Sequence, residues 1–530
     1  MTTESDALII GAGHNGLVCA FYLASAGLSV TVLERRNVVG GAAVTEDFHP
    51  GFRNSVASYT VSLLNPKVIR DLDLAAHGLK IVERKLNNFL PLNDHDYFIS
   101  GAGRTRAEIA KFSKRDAEQY DAYDARLNVI ADILRDVVLE TPPNLEQGWG
   151  NAIPEMMKSA WLGRRLSRLD LTGKRDLLAL FAQSAGDWLD GWFESAPIKA
   201  LLGFDGVVGN YASPYAAGSA YVLLHHCFGE VNGKKGVWGH AVGGMGAITQ
   251  AMAKAASAKG ADIRVGEGVK EIIVEDGRAV GAVTERGEIF RARRIVANVH
   301  PKLLYERLLE PSTLPSDFRE RITRYRSGSG TFRMNVALSE LPRFTCLPES
   351  GDHLTAGIVI APSLAYMDRA YRDARESGWS QEPIVEMLIP STLDDSLAPT
   401  GKHVASLFCQ HVSPQINGGW DAHREPVADL MIETVDRHAP GFKASVLGRQ
   451  IKSPLDLERD FGLIGGDIFH GQLALDQLFS ARPVLGHANY RGPISGLYMC
   501  GSGTHPGGGV TGAPGYNAAR EILRDHRRAS

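Results

Sequence analysis

Gly11, Gly13 and Gly16 form G-x-G-x-x-G, and the carboxylate of Glu34 follows them. The first glycine permits a tight turn, the second lets backbone approach a pyrophosphate, and the third lets a helix lie close to a strand. The helix predicted from about Asn15 to Ala26 points its first N–H groups at that pyrophosphate. Glu34 can accept both hydroxyls of a ribose, each such bond being worth about 1.5–3 kcal/mol. A second glycine pair, Gly40-Gly41, stands shortly after the acid.

The other glycine-rich stretch lies near the C-terminus. Gly501-Ser502-Gly503-Thr504-His505-Pro506-Gly507-Gly508-Gly509 follows the apolar run Leu497–Cys500 and precedes a helical run through Ala518-Ala519. Glycines packed beside a helix start again indicate backbone lying against a ligand. Two such turns at opposite ends of the chain fit one extended cofactor.

These residues need elements to hold them. Ala7–Ile10 and Val30–Leu33 are short apolar runs of the length a buried parallel strand needs. Gly27 is placed to end the first helix. Pro66 opens a helix that Gly78 closes, and the runs within 79–100 read as strands of a second sheet. Ser113 caps a long helix to about Glu140, stopped by Pro142-Pro143. A second helical block spans 151–202, with Lys158, Arg164, Arg165, Arg168, Lys174 and Arg175 as a basic flank. Residues 215–228 read as a buried helix, 239–246 as a turn before the helix 247–259, and 262–298 as strands with an Asp276-Gly277 hairpin. Four further strands and the helix 425–438 lead into a connection over 464–483.

The 530 residues are 44% hydrophobic and 22% charged, with a net charge of −3, an ordinary globular composition that argues against nucleic-acid binding. No apolar run approaches the length of a membrane span, and MTTESDALII lacks the basic region of a signal peptide. A cytoplasmic enzyme is expected, with the basic helical flank as a possible peripheral contact with anionic membrane. Five scattered cysteines with no C-x-x-C provide neither a redox pair nor a zinc site.

The chain resembles the phytoene desaturase-like branch of FAD-dependent oxidoreductases. The matching pieces are the stretch from Gly11 to Ala43, YVLLHHCFGE, GGMGAITQAMAKAA, DIFHGQLALDQLFSARP and GLYMCGSGTHPGGGVTGAPGYNAA, spread over the whole chain. The resemblance implies an α/β fold: a Rossmann-type FAD-binding domain of the glutathione-reductase and amine-oxidase type, from about 1–70, 230–302 and 480–530. A discontinuous α+β substrate domain with a helical lid would come from about 71–229 and 303–479. Gly11, Gly13, Gly16 and Glu34 would hold the pyrophosphate and adenosine ribose, Gly40 and Gly41 would close over the pyrophosphate, and Val269 would meet the adenine. Gly501, Ser502, Gly503, His505, Gly508, Gly509 and Val510 would form the flavin loop, His505 chiefly by shaping it.

Two positions depart from related patterns. Ala42 stands where amine oxidases usually carry arginine after the glycine pair, and Ser502 stands where many relatives carry aspartate. The first favours desaturation over amine oxidation. The expected reaction is dehydrogenation of a hydrophobic small molecule to a C=C bond, with hydride passing to flavin N5 and then to oxygen, a quinone or another carrier. Such a step also releases a proton, for which His225 and His226 are candidates. Neighbours on one helix point about 100° apart, so at most one faces the site. Alternatives are an amine or alcohol oxidase and a non-redox flavin isomerase. Glu34 with both glycine loops argues against a non-catalytic binding protein on the same fold.

Overall fold

A computed structural model describes residues 4–144 and 149–529. The apolar runs from the two ends of the chain meet in one parallel sheet, ordered Asp262–Val265, Val30–Glu34, Ala7–Ile10, Ile295–Ala297, Leu497–Met499. Leu8 lies opposite both Thr31 and Ile295, and Ile295 opposite Leu497. Side chains alternate between two cores, as a period of two requires. Ala7, Ile9, Val30, Val32 and Val296 pack with the helices His14–Ser25, Gly246–Ala258 and Ala513–Ala529. Leu8, Ile10, Leu33, Ile295 and Ala297 pack on the other face with an antiparallel meander, Val269–Glu275, Arg278–Thr284 and Ile289–Arg291. Asp276 and Gly277 both take positive φ, 48° and 73°, as the expected Asp-Gly hairpin turn demands.

The second sheet has seven strands, ordered Val446–Lys452, Phe332–Leu338, His403–Val412, Trp379–Leu388, Gly357–Ile360, Asn88–Pro91, Tyr97–Ser100. Gly357–Ile360 and Asn88–Pro91 run parallel and the other neighbours antiparallel. Helix Trp420–His438 covers one face through Val427, Met431 and Val435. The opposite face, including Leu90, Phe98 and Phe408, packs beneath a helical layer bearing Tyr123, Leu127, Phe204 and Leu223.

Ser113 caps the helix Lys114–Val138 by accepting from the Asp116 N–H, as expected. The helical block comprises Trp149–Leu166, Leu171–Ala182, Ala185–Asp190 and Ala196–Asp205. Several expectations need correction. The helix opened by Pro66 ends at Asp71, because Asp73 turns to φ 45° before Gly78 is reached. Ile81–Glu83 is not in the second sheet; it pairs with Gly239–Ala241, so the latter is a strand rather than part of a turn. The helix expected over 215–228 begins at Ser219, after Gly218 takes φ 84°. The helix Leu364–Ser377 and the strand Val446–Lys452 were not anticipated.

Candidate active site

Strand Ala7–Ile10 runs into Gly11, at φ 97°. A Cβ on Gly16 would stand 2.3 Å from the Gly11 carbonyl oxygen, so only glycine lets the helix rest on this turn. Asn298, at the end of its own strand, donates from Nδ2 to the carbonyls of Gly11 and Gly13 at 3.0 and 3.3 Å. Helix His14–Ser25 has no side-chain cap and no acidic residue in its first turn, leaving its N-terminal field open to an anion. Glu34 accepts from the Ala12 N–H at 2.8 Å and the Arg36 N–H at 2.9 Å. The Gly40 N–H donates to the Ala12 carbonyl at 2.9 Å, laying the second glycine turn against the first.

These residues surround a cavity of about 380 Å³, lined by Gly11, Gly13, Glu34, Gly40, Gly41 and Val269 together with Arg36, Lys270 and Arg307. Gly16 stands behind it, beneath the turn. Leu303, Arg307 and Leu308 reach it from a π-helix, Leu303–Leu308. Buried Nε2 of His14 and Nη1 of Arg36 lack hydrogen-bond partners. Burial pushes the His14 imidazole down to about 4, so it is neutral at physiological pH.

The C-terminal loop is tied from behind by Arg482, fully buried. Its guanidinium donates to the carbonyls of Ser502, Phe469 and Gln477 at 2.8, 2.7 and 3.1 Å. Asn15 Nδ2 donates to Ser502 Oγ at 3.2 Å, joining the loop to the first helix. His505 Nε2 lies 3.1 Å from the Val137 carbonyl, and the Tyr490 hydroxyl donates to the His505 carbonyl at 2.8 Å. His505 therefore braces the loop against the helix Lys114–Val138. Val510 holds φ 58°, a costly conformation for a β-branched residue.

A second cavity, of about 540 Å³, shares His14, Ala42, His470 and Ser502 with the first. Gly509 and Val510 line it from the loop, and His226 from helix Ser219–His226. Its apolar walls include Leu63, Leu127, Phe204, Phe408 and Phe469. Its polar side holds Tyr59, Arg84, Asn88, Asp205 and Glu386. The Tyr59 hydroxyl donates to Glu386 Oε2. Arg333 stacks 4.5 Å from the Tyr59 ring centre and donates to the carbonyls of Ala57 and Leu407 and to Ser406 Oγ. Asp205 lines this cavity, and burial, with Glu386 nearby, pushes its carboxyl up to about 8. Asp124, Lys235 and Gly236, all exposed, place the mouth between the long helix and the hairpin at 230–235.

The residues singled out from sequence divide accordingly. His226 reaches the larger cavity. His225 does not: it turns toward a smaller pocket with Leu63, Phe228 and Pro506, where burial and the neighbouring His226 push its imidazole down to about 3. Gly501, Gly503 and Gly508 line neither main cavity. Their hydrogens face Asn298, Pro301 and Phe469, with Cβ positions 3.1, 2.4 and 2.6 Å from those neighbours. They let the loop pack, while Ser502, Gly509 and Val510 present it to the cavity. Asn298, Arg482, Tyr59, Arg84, Asp205 and Glu386 were not anticipated. Only Arg482 lay within a stretch already singled out, DIFHGQLALDQLFSARP.

A family model described as flavin containing amine oxidoreductase matches residues 16–332. The chain belongs to the flavin containing amine oxidoreductase family. Pyridine nucleotide-disulfide oxidoreductase domain-containing protein 2 of Rattus norvegicus is 41% identical over 98% of this chain and 94% of its own length. A lycopene-forming phytoene desaturase of Pseudescherichia vulneris is 24% identical over 95% of this chain and 96% of its own. Among solved structures, putrescine oxidase bound to putrescine superimposes with a TM-score of 0.62 at 16% identity, covering 100% of both chains, a likeness of fold.

This flavin amine oxidoreductase-family chain is an FAD-dependent oxidoreductase. Its residues fit the cofactor. The smaller cavity offers the glycine cradle, an open helix N-terminus and a cationic lining of Arg35, Arg36, Lys270 and Arg307, with Glu34 for a ribose. The unpartnered Nε2 of His14 lies where that cavity meets the larger one.

Proposed function

We propose that the protein dehydrogenates a largely apolar small molecule to a C=C bond. The observation that carries this reading is the junction at His14, Ala42, His470 and Ser502, where the cofactor cavity meets a larger one with an apolar wall, a polar side and His226. Bound FAD supplies the hydride acceptor, and oxygen, a quinone or another carrier would take the electrons onward. The chain supplies placement, exclusion of water and a base. His226 Nδ1 lies 2.8 Å from the Val222 carbonyl, which can only accept, so Nδ1 carries the proton, and the ring also meets the Asp205 backbone carbonyl. Burial holds this imidazole below its usual range and therefore neutral, the form that accepts a proton. The name of the related phytoene desaturase supports the reaction class.

A peripheral membrane contact would suit an apolar substrate. Met156, Met157, Leu171 and Leu178 are 63–69% exposed on the two helices that carry the basic flank. Among the described residues no helix is long and apolar enough to cross a membrane.

Anaerobic flavin bleaching with a panel of apolar alkenes and terpenes tests the reaction. Bleaching accompanied by a product lighter by two hydrogens is expected. Bleaching by amines alone, with peroxide released in air, would replace this reading with amine oxidation.

A further inference from the structure

Arg84 is 8% exposed, yet it makes no ion pair among the described residues. Its guanidinium donates to Thr60 Oγ1 and lies 5.7 Å from the Trp238 ring centre. It lines the 540 Å³ cavity. A buried cation without a paired charge is costly, and interiors seldom keep one.

The nearest acid does not close the account. Arg84 Nη1, Asn88 Nδ2 and Glu386 Oε1 stand 3.3, 3.2 and 3.0 Å from the position a Cβ would take on Gly357. Glu386 is near enough to be felt by Arg84 but forms no salt bridge with it, and Oε2 is engaged by the Tyr59 hydroxyl. Asn88 Oδ1 is directed to the Ser100 hydroxyl, leaving Nδ2 as a second donor toward the cavity. A second buried guanidinium near Glu386, that of Arg333, is engaged by Ala57, Leu407 and Ser406. Burial, with Glu386 beside it, pushes Asp205 up to about 8, and Glu386 lies near two guanidiniums, Arg84 and Arg333, so one acid faces two cations. The polar side therefore presents a surplus of donors and of positive charge beside apolar side chains, Phe408 being the cross-strand neighbour of Glu386.

We infer that the substrate is amphipathic: it carries a carboxylate that binds Arg84 and Asn88, and an apolar body that lies along Phe408, Phe469 and Leu63. This deepens the dehydrogenase reading, on which it rests for the word substrate. An arginine fork suits a planar carboxylate, which could accept from Arg84 and Asn88 together.

The test uses the FAD-loaded full chain and calorimetric titration with dodecanoate, hexadecanoate and the matching primary alcohols. Carboxylates should bind about ten- to a hundred-fold more tightly than alcohols of equal length, the gain of a charge-assisted contact. Arg84→Gln should abolish that preference while alcohol binding persists, and Arg84→Lys should keep part of it. Flavin content and melting temperature show whether each variant is folded. Equal affinity for acids and alcohols, no binding of either acid, or a preference that survives in Arg84→Gln would overturn the inference. Anaerobic bleaching, read separately, reports on the reaction: carboxylate-selective binding without bleaching by any acid leaves the head-group site standing and sinks fatty-acid dehydrogenation.

Discussion

A methyl group at Gly16 has no free space, since its position lies 2.3 Å from the Gly11 carbonyl oxygen and 2.8 Å from Asn298 Nδ2. Gly16→Ala should therefore lift the helix off the turn, cost about 1–3 kcal/mol and lower the flavin-to-protein ratio of the purified enzyme, measured by absorbance and thermal melting. Asp205 makes a different prediction. Its carboxyl stays protonated in the folded chain up to about 8 but ionises near pH 4 once unfolded. Between these values the unfolded state binds fewer protons, so this residue's contribution to stability falls as pH rises and levels off above the folded value. Asp205→Asn should flatten that fall, by up to roughly 1.4 kcal/mol per pH unit, in urea unfolding followed across the interval. The glycines and Glu34 are legible in the sequence because they act within one strand–turn–helix unit. Arg84, Asp205 and Glu386 are not, because their meaning comes from a shared cavity: Tyr59 meets Glu386 across 327 positions of chain. His225 and His226 are equivalent on paper, and only the rotation of their helix separates them.

Loops rather than strands set the shape of the junction. The segment 467–472 is held by Asp467, which accepts from the N–H groups of Gly328 and Phe469 at 2.7 and 2.8 Å, and by Arg482. Four non-glycine residues between 470 and 510, His470, Phe479, Tyr490 and Val510, take positive φ, and such strain persists only where surroundings enforce it. Arg482→Lys should keep the charge and lose the fork, leaving buried carbonyls unpaired. A loss of about 3 kcal/mol or more and faster flavin release are expected, read by melting and by fluorescence of freed FAD. The parallel strands were readable as apolar runs, since burial on both faces removes polar alternation. Segment 464–483 was readable as a connection but its path was not, because its three short 3₁₀ turns follow tertiary anchors rather than periodicity.

At the scale of the whole molecule, the cofactor site joins segments from both ends of the chain. The C-terminal helix is fastened to the end of the long helix and the residues after it, through Asn517 to the Val138 carbonyl at 3.0 Å and Thr141 to Glu521 at 2.7 Å. FAD binding should therefore stabilise the entire chain as one unit. Apoprotein given FAD at about a hundred times its dissociation constant should gain about 2.7 kcal/mol, seen as a single melting transition moving upward. A transition that split in two, with only one part moving, would show that the sheets unfold independently. Wild-type protein should also co-sediment with anionic vesicles, and Met156→Ser with Leu178→Ser should weaken that association. The Arg482 tie has a consequence for how the enzyme can diversify. It grips Ser502, Phe469 and Gln477 only by main-chain oxygens, which every amino acid possesses. At Ser502 and Phe469, the two gripped positions that line the larger cavity, the side chain can thus change, and with it the choice of molecule, without loosening the knot.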